Sequence, residues 1–182
     1  MKKISVLMLL SLAFVLGAKA QLLEDMLHDK GNKAAFSLGP ELVFPSRSVY
    51  NIGYGASAKV EIPIKGNFEL TITGGYSKFN YKSGIVNAFG TQEPAHFIPL
   101  KAGTRIALGP GFFFEAEAGN VFATHTISGT SSTQNLFTYS LGPAFLIKLN
   151  GKQNMDLGVR YESWSKSTMR QTAIRVAYRI GG

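Results

Sequence analysis

The sequence predicts an all-β fold: an eight-stranded antiparallel up-and-down transmembrane β-barrel. Three observations carry this prediction. Apolar and polar residues alternate with a period of two through eight segments, the signature of strands with two unlike faces. The connections between those segments alternate between long and short. No apolar run of transmembrane-helix length follows residue 20, so a membrane passage would need strands, closed on themselves to satisfy the backbone.

The chain opens on MKKISVLMLLSLAFVLGAKA, which reads as an export signal occupying residues 1–20. Lys2 and Lys3 form a basic start, Ile4 to Leu16 an apolar core, and Ala18-Lys19-Ala20 a small-residue cleavage site before Gln21. The core is too short to span a bilayer of roughly 30 Å. With no Cys in the chain, there is no site for lipid attachment after cleavage. Residues 21–32 (QLLEDMLHDKGN) read as a short periplasmic lead, and residues 33–182 as the barrel.

The eight segments fall at 34–44, 53–63, 67–79, 95–108, 112–124, 137–149, 154–164 and 171–180. In the second, Tyr54, Ala56, Ala58, Val60 and Ile62 share a face opposite Ser57, Lys59 and Glu61. The third sets Phe68, Leu70 and Ile72 against Glu69, Thr71 and Thr73. In the fifth, Phe112, Phe114, Ala116 and Ala118 oppose Glu115, Glu117 and Gly119. Met155, Leu157, Val159 and Tyr161 oppose Asp156, Gly158, Arg160 and Glu162 in the seventh. The eighth places Ile174, Val176, Tyr178 and Ile180 against Arg175, Ala177 and Arg179. Short links at Ile64-Lys65-Gly66, Gly109-Pro110-Gly111 and Asn150-Gly151-Lys152 carry turn residues. Longer links at 45–52, 80–94, 125–136 and 165–170 alternate with them, as outer loops alternate with periplasmic turns in outer-membrane barrels.

Alternation does not say which face is wet. A lipocalin-like soluble barrel turns its apolar file inward, whereas a membrane barrel turns it toward lipid. The polar file here carries Gly39, Gly55, Gly75, Gly103, Gly119, Gly142 and Gly158, small residues that suit the narrow interior of eight strands. It is also balanced in charge. Lys59, Lys101, Arg105, Lys148, Arg160, Arg175 and Arg179 face Glu41, Glu61, Glu69, Glu115, Glu117, Asp156 and Glu162. Balance matters where charges must be paired, as they must in a lumen. Aromatic residues gather near the strand ends, with Phe44, Tyr50, Tyr54, Tyr76, Phe79, Phe97, Phe122, Phe137, Tyr139 and Trp164 at the outer rim. Phe36, Phe68, Phe112, Phe114, Phe145 and Tyr178 lie toward the inner rim, which reads as a second aromatic girdle.

On IPLKAGTR (Ile98 to Arg105), SLGPAF (Ser140 to Phe145), LGVRYE (Leu157 to Glu162) and IRVAYRI (Ile174 to Ile180), the chain resembles the small outer-membrane β-barrel-domain proteins of Bacteroidota. The resemblance spans nearly all of residues 33–182 and implies an outer-membrane location. It also implies contact with outer-membrane lipid and lipopolysaccharide, and insertion by the barrel-assembly machinery. One departure is the end of the chain: such barrels usually finish on an aromatic residue, whereas here Tyr178 and Ile180 precede Gly181-Gly182.

Composition narrows the function classes. Only 16% of residues are charged, which argues against disorder, and the formal charge of +8 includes Lys2, Lys3 and Lys19 of the signal. The remaining basic residues interleave with acidic ones, so no nucleic-acid footprint is present. His28, His96 and His125 occur singly and lack ligand spacing, so neither a metal nor a cofactor is expected. A lipid-A-modifying enzyme would need a nucleophile, base and acid in reach. His125 and Ser128, with Glu115 and Glu117 upstream, are the nearest approach, but a spacing of three puts them on opposite strand faces. The sequence points instead to a non-enzymatic barrel with a structural or surface-interaction role. Its lumen would hold the charge network of Lys59, Glu61, Glu69, Lys101, Arg105, Glu115, Glu117, Arg160, Glu162, Arg175 and Arg179. The alternatives are a narrow channel for small solutes or ions, the enzyme, and a soluble periplasmic ligand-binding barrel. Surface partners would meet loops 80–94 and 125–136, which carry Tyr81, Ile85, Val86, Phe89 and Leu136 among polar residues.

Overall fold

The computed structural model describes residues 33–46, 48–83, 94–127, 130–150, 153–165 and 169–181, with the backbone alone at 124–127, 130–134 and 150. Eight strands form one closed antiparallel barrel in chain order. They are β1 (Ala35–Ser46), β2 (Tyr50–Lys65), β3 (Phe68–Tyr81), β4 (Ala95–Gly109), β5 (Phe112–Ile127), β6 (Thr130–Asn150), β7 (Gln153–Trp164) and β8 (Arg170–Gly181). Each strand pairs with its sequence neighbours, and β1 closes on β8 from Ala35↔Gly181 to Ser46↔Arg170. The proposed signal, its cleavage site and the lead at 21–32, including His28, lie outside the described residues.

The barrel is inverted in polarity relative to a soluble one. On β1, Phe36, Leu38, Leu42 and Phe44 are exposed while Ser37, Glu41 and Val43 are buried. On β8, Ile174, Val176, Tyr178 and Ile180 face outward and Gln171, Arg175 and Arg179 inward. Lys101, Arg105, Glu61 and Asp156 are at most 1% exposed, whereas Leu38, Leu100 and Leu108 are more than half exposed. An apolar exterior around buried ions is unstable in water and suited to hydrocarbon.

The short connections share one end of the barrel, here the turn end. Pro110 and Gly111 link β4 to β5, with Gly111 at a φ of 71°. Pro at the first and a left-handed residue at the second central position is the signature of a type II turn. The carbonyl of Gly111 also accepts from the Leu146 amide at 2.7 Å, which ties the turn to β6. At the opposite, loop end, the predicted link over 125–136 is largely strand. β5 and β6 stay paired out to Ile127↔Thr130, although β4 leaves β5 at Thr124 and β7 leaves β6 at Thr138. Among the described residues, β6 therefore continues past its pairing with β7 by about 27 Å. The Ser/Thr-rich sequence of this extension lacks the alternation that identifies strands elsewhere. Most of loop 80–94, including Ile85, Val86 and Phe89, lies outside the described residues.

Small interior residues serve strand approach as well as space. A Cβ on Gly142 would lie within 3.0 Å of the Val159 oxygen and the Arg160 Cα, both backbone atoms of β7. Gly142→Val is therefore expected to prevent β6 from closing against β7. The variant should lose the faster-migrating folded band seen when a membrane barrel is run unboiled on a detergent gel. An unchanged gel shift would show that the backbone yields at this point.

Candidate functional site

Strand parity delivers the predicted network residues into the lumen, where they form two connected charge layers. At the turn end, Arg105 from β4 is the hub. Its Nη1 donates to Glu61 Oε1 at 2.7 Å and Asp156 Oδ2 at 2.9 Å, and lies 3.4 Å from Glu115 Oε1. Its Nε lies 3.8 Å from Glu69, and its guanidinium sits 4.0 Å above the Phe113 ring. Arg179 donates to the other oxygen of Glu61, and Lys59 to Glu115. Glu61 thus lies between two arginines from β4 and β8. Carboxylate oxygens of Glu61, Glu115 and Asp156 approach within 4.8 Å of one another, a spacing that would suit a metal ion. Arg105 supplies the countercharge to all three.

The middle layer is built on Glu41 and Glu162. Arg160 grips Glu41 through both terminal nitrogens, at 2.8 and 2.7 Å, the forked geometry that makes Arg–carboxylate pairs strong. Glu41 also accepts from Ser57 Oγ. Arg175 reaches Ser57 Oγ at 2.8 Å and Ser37 Oγ at 3.0 Å. Glu162 accepts from Lys101 Nζ at 2.8 Å, Arg160 Nε at 3.2 Å, Gln171 Nε2 at 3.1 Å and the Trp164 indole. Lys101 continues to Ser140 at 3.1 Å and Glu117 at 3.5 Å, and Glu117 accepts from Thr73 at 2.6 Å. A cavity of about 10 Å³ remains among Lys59, Glu115, Asp156, Arg160 and Arg175, room for about one water.

Two features depart from the sequence reading. Lys148 shares the inward parity but is exposed near the turn end of β6. The described lumen therefore holds six cations (Lys59, Lys101, Arg105, Arg160, Arg175, Arg179) and seven carboxylates (Glu41, Glu61, Glu69, Glu115, Glu117, Asp156, Glu162). The second departure concerns the aromatics. Phe79, Phe97 and Trp164 belong to no girdle: they are at most 4% exposed and lie inside the barrel at the loop end, with Tyr50 packed against them. With Val43, Val121, Ala123, Leu136, Met169 and Ala173 they form an apolar plug. Phe79 and Phe97 meet edge-on at 5.2 Å, and Phe97 and Trp164 tilt together at 4.8 Å. Trp164 joins plug to network, with its ring among phenylalanines and its N–H on Glu162. Parity holds this information, since Phe79 follows Ser77 and Trp164 follows Glu162 on the inward file. Nearness to a strand end obscured it.

The hydroxyls of Ser37, Ser57, Thr73 and Ser140 were not singled out from sequence, because nothing but tertiary pairing distinguishes them from other inward Ser and Thr. The candidate enzymatic group is not brought together. Glu117 is bound to Thr73 and Lys101, and eight residues, about 27 Å of strand, separate it from His125 on β5. Ser128 lies outside the described residues. His96 faces outward and pairs with Tyr76.

No family model matches the chain, and no curated protein matches it in sequence. Solved structures do match in shape. Ail, the attachment invasion locus protein of Yersinia pestis, aligns with a TM-score of 0.55 at 11% identity, over 81% of this chain and 97% of that one. Neisserial surface protein A aligns with a TM-score of 0.59 at 11% identity, over 83% and 99%. The N-terminal β-barrel domain of Pseudomonas aeruginosa OprF aligns at 0.50 and 10% identity, over 82% and 100%. At these identities the likeness is one of fold, and the fold is that of the small eight-stranded barrels known from outer membranes.

Proposed function

We propose that this chain is an integral outer-membrane barrel, exported with cleavage before Gln21, whose lumen is a structural filling and whose loop end is its contact surface. It belongs on this reading with the Bacteroidota-type small barrels and catalyses no reaction. The observation that carries it is the lumen, filled by two ion-paired layers beneath an apolar plug. An ion entering from the loop end would meet the buried rings of Phe79, Phe97 and Trp164, with Tyr50 packed against them. From the turn end it would have to displace arginines that are already matched. This weighs against the narrow channel. The apolar exterior weighs against a soluble ligand-binding barrel, and the bound Glu117 against the hydrolase.

The protruding β5–β6 hairpin supports the contact role. Among the described residues, β6 has no strand partner on its β7 side from Thr130 to Phe137, save for the Phe137 carbonyl, which accepts from Ser165. A strand with such an edge can accept another chain in register. The test is to express the full precursor and compare the membrane fraction, unboiled and boiled, with the osmotic-shock fluid. The expected result is a heat-modifiable band in the outer membrane and electrical silence of the purified barrel in a planar bilayer. A soluble band would overturn the membrane assignment, and stepwise conductance would overturn the filled lumen.

A further inference from the structure

The described charges are sorted by side of the barrel wall. Glu41, Glu61, Glu69, Glu115, Glu117, Asp156 and Glu162 all project inward. Outside the lumen and at its rims, the described charged residues of the barrel are Lys65, Lys78, Lys82, Lys148 and Arg170, every one basic. Among the described residues, no carboxylate is available to them. Described exterior cations of one sign suit an anionic surface.

One of these cations sits in a built setting. Register places Tyr54, Lys78 and His96 in a single row across β2, β3 and β4, at the loop end and on the outward face. Tyr76, two residues nearer the belt on β3, hydrogen-bonds His96 Nδ1 and stacks on the imidazole at 5.7 Å and 27°. If Tyr76 donates this bond, the neutral ring keeps its proton on Nε2, as a donor. Lys78 is half-buried between its neighbours and has no ion-pair partner among the described residues. The row also lies at a particular depth. The outward file of β3 runs Phe68, Leu70, Ile72, Gly74 and Tyr76 before Lys78, which lies about 33 Å from Phe68 along the strand and about 25 Å in height at the usual tilt. The ammonium thus emerges where hydrocarbon gives way to headgroups, with Tyr54 and Tyr76 beside it.

We infer that Tyr54, Lys78 and His96, supported by Tyr76, bind the phosphate of a membrane lipid headgroup in the loop-side leaflet. Lys78 supplies the charge, His96 and the Tyr54 hydroxyl supply donors, and the tyrosine rings pack against the lipid's glycerol or sugar. No other described exterior cation is flanked in register by a tyrosine and a histidine. Lys65 and Lys148 stand at the turn end, and Arg170 lies on β8 opposite Ser46 and Ser163.

This inference rests on the membrane reading above, and the experiment separates the two. The full barrel is refolded in neutral detergent and its gel shift verified. It is then titrated with bis-phosphorylated lipid A, and separately with the same lipid stripped of phosphate, bound lipid being counted by native mass spectrometry. Wild type should prefer the phosphorylated lipid. Lys78→Ala should weaken binding about fivefold, as expected for one cation at a membrane surface. Lys78→Arg should restore it, and Lys65→Ala at the turn end should leave it unchanged. Equal binding of both lipids, or Lys78→Ala binding as wild type does in a gel-shifted barrel, would overturn the phosphate site alone. Absence of a gel shift in wild type would overturn the membrane reading and the site with it.

Discussion

Arg105→Met should destabilise the barrel by about 3–5 kcal/mol, the usual cost of removing one partner from a buried charge pair. The substitution keeps a side chain of similar length but removes one of the two cations that, among the described residues, lie within 4 Å of Asp156, and one of the two beside Glu61. Both carboxylates are buried, so water from the turn end does not replace the lost contacts directly. The check is urea unfolding in vesicles, followed by loss of the unboiled gel shift. Adding Glu61→Gln and Asp156→Asn to Arg105→Met should restore part of the lost stability, because the stranded charges are then gone. A single variant as stable as wild type would show that Arg105 is solvated, and that the lumen is wetter than its packing indicates.

Phe79→Ala is the second large effect, expected to cost about 3–5 kcal/mol as a large buried aromatic is emptied. Phe79 is fully buried and touches the rings of Tyr50, Phe97 and Trp164, so its loss opens the centre of the plug. Trp164 is the chain's single tryptophan, which makes its fluorescence a direct report on the plug. Its emission should shift to the red in Phe79→Ala and stay near wild type in Arg105→Met below the unfolding midpoint. The variant should remain electrically silent, because Lys101, Glu162 and Arg160 still fill the layer beneath. Conductance appearing in Phe79→Ala would mean that the plug alone holds the lumen shut.

The period of two and the alternating link lengths were enough to determine the number of strands, their order and the inward-facing charges except Lys148, which is exposed. These properties are local: parity follows from the pleat, and closure in chain order follows from short turns between neighbours. Residues such as Lys101 and Arg105 could be placed in the lumen without knowing any contact. The partners could not. Arg160 clasps Glu41, 119 residues away in the chain, because the stagger of a closed barrel sets β1 and β7 side chains at one level. The division of the lumen into a charged part and an apolar plug was likewise decided by tertiary structure. Phe79, Phe97 and Trp164 come from three strands, and only the register brings their rings to one height inside the wall. The extent of the β5–β6 hairpin escaped for the opposite reason. The sequence over 125–134 is Ser/Thr-rich and carries no hydrophobic alternation, so only the backbone pairing shows that the strands continue there.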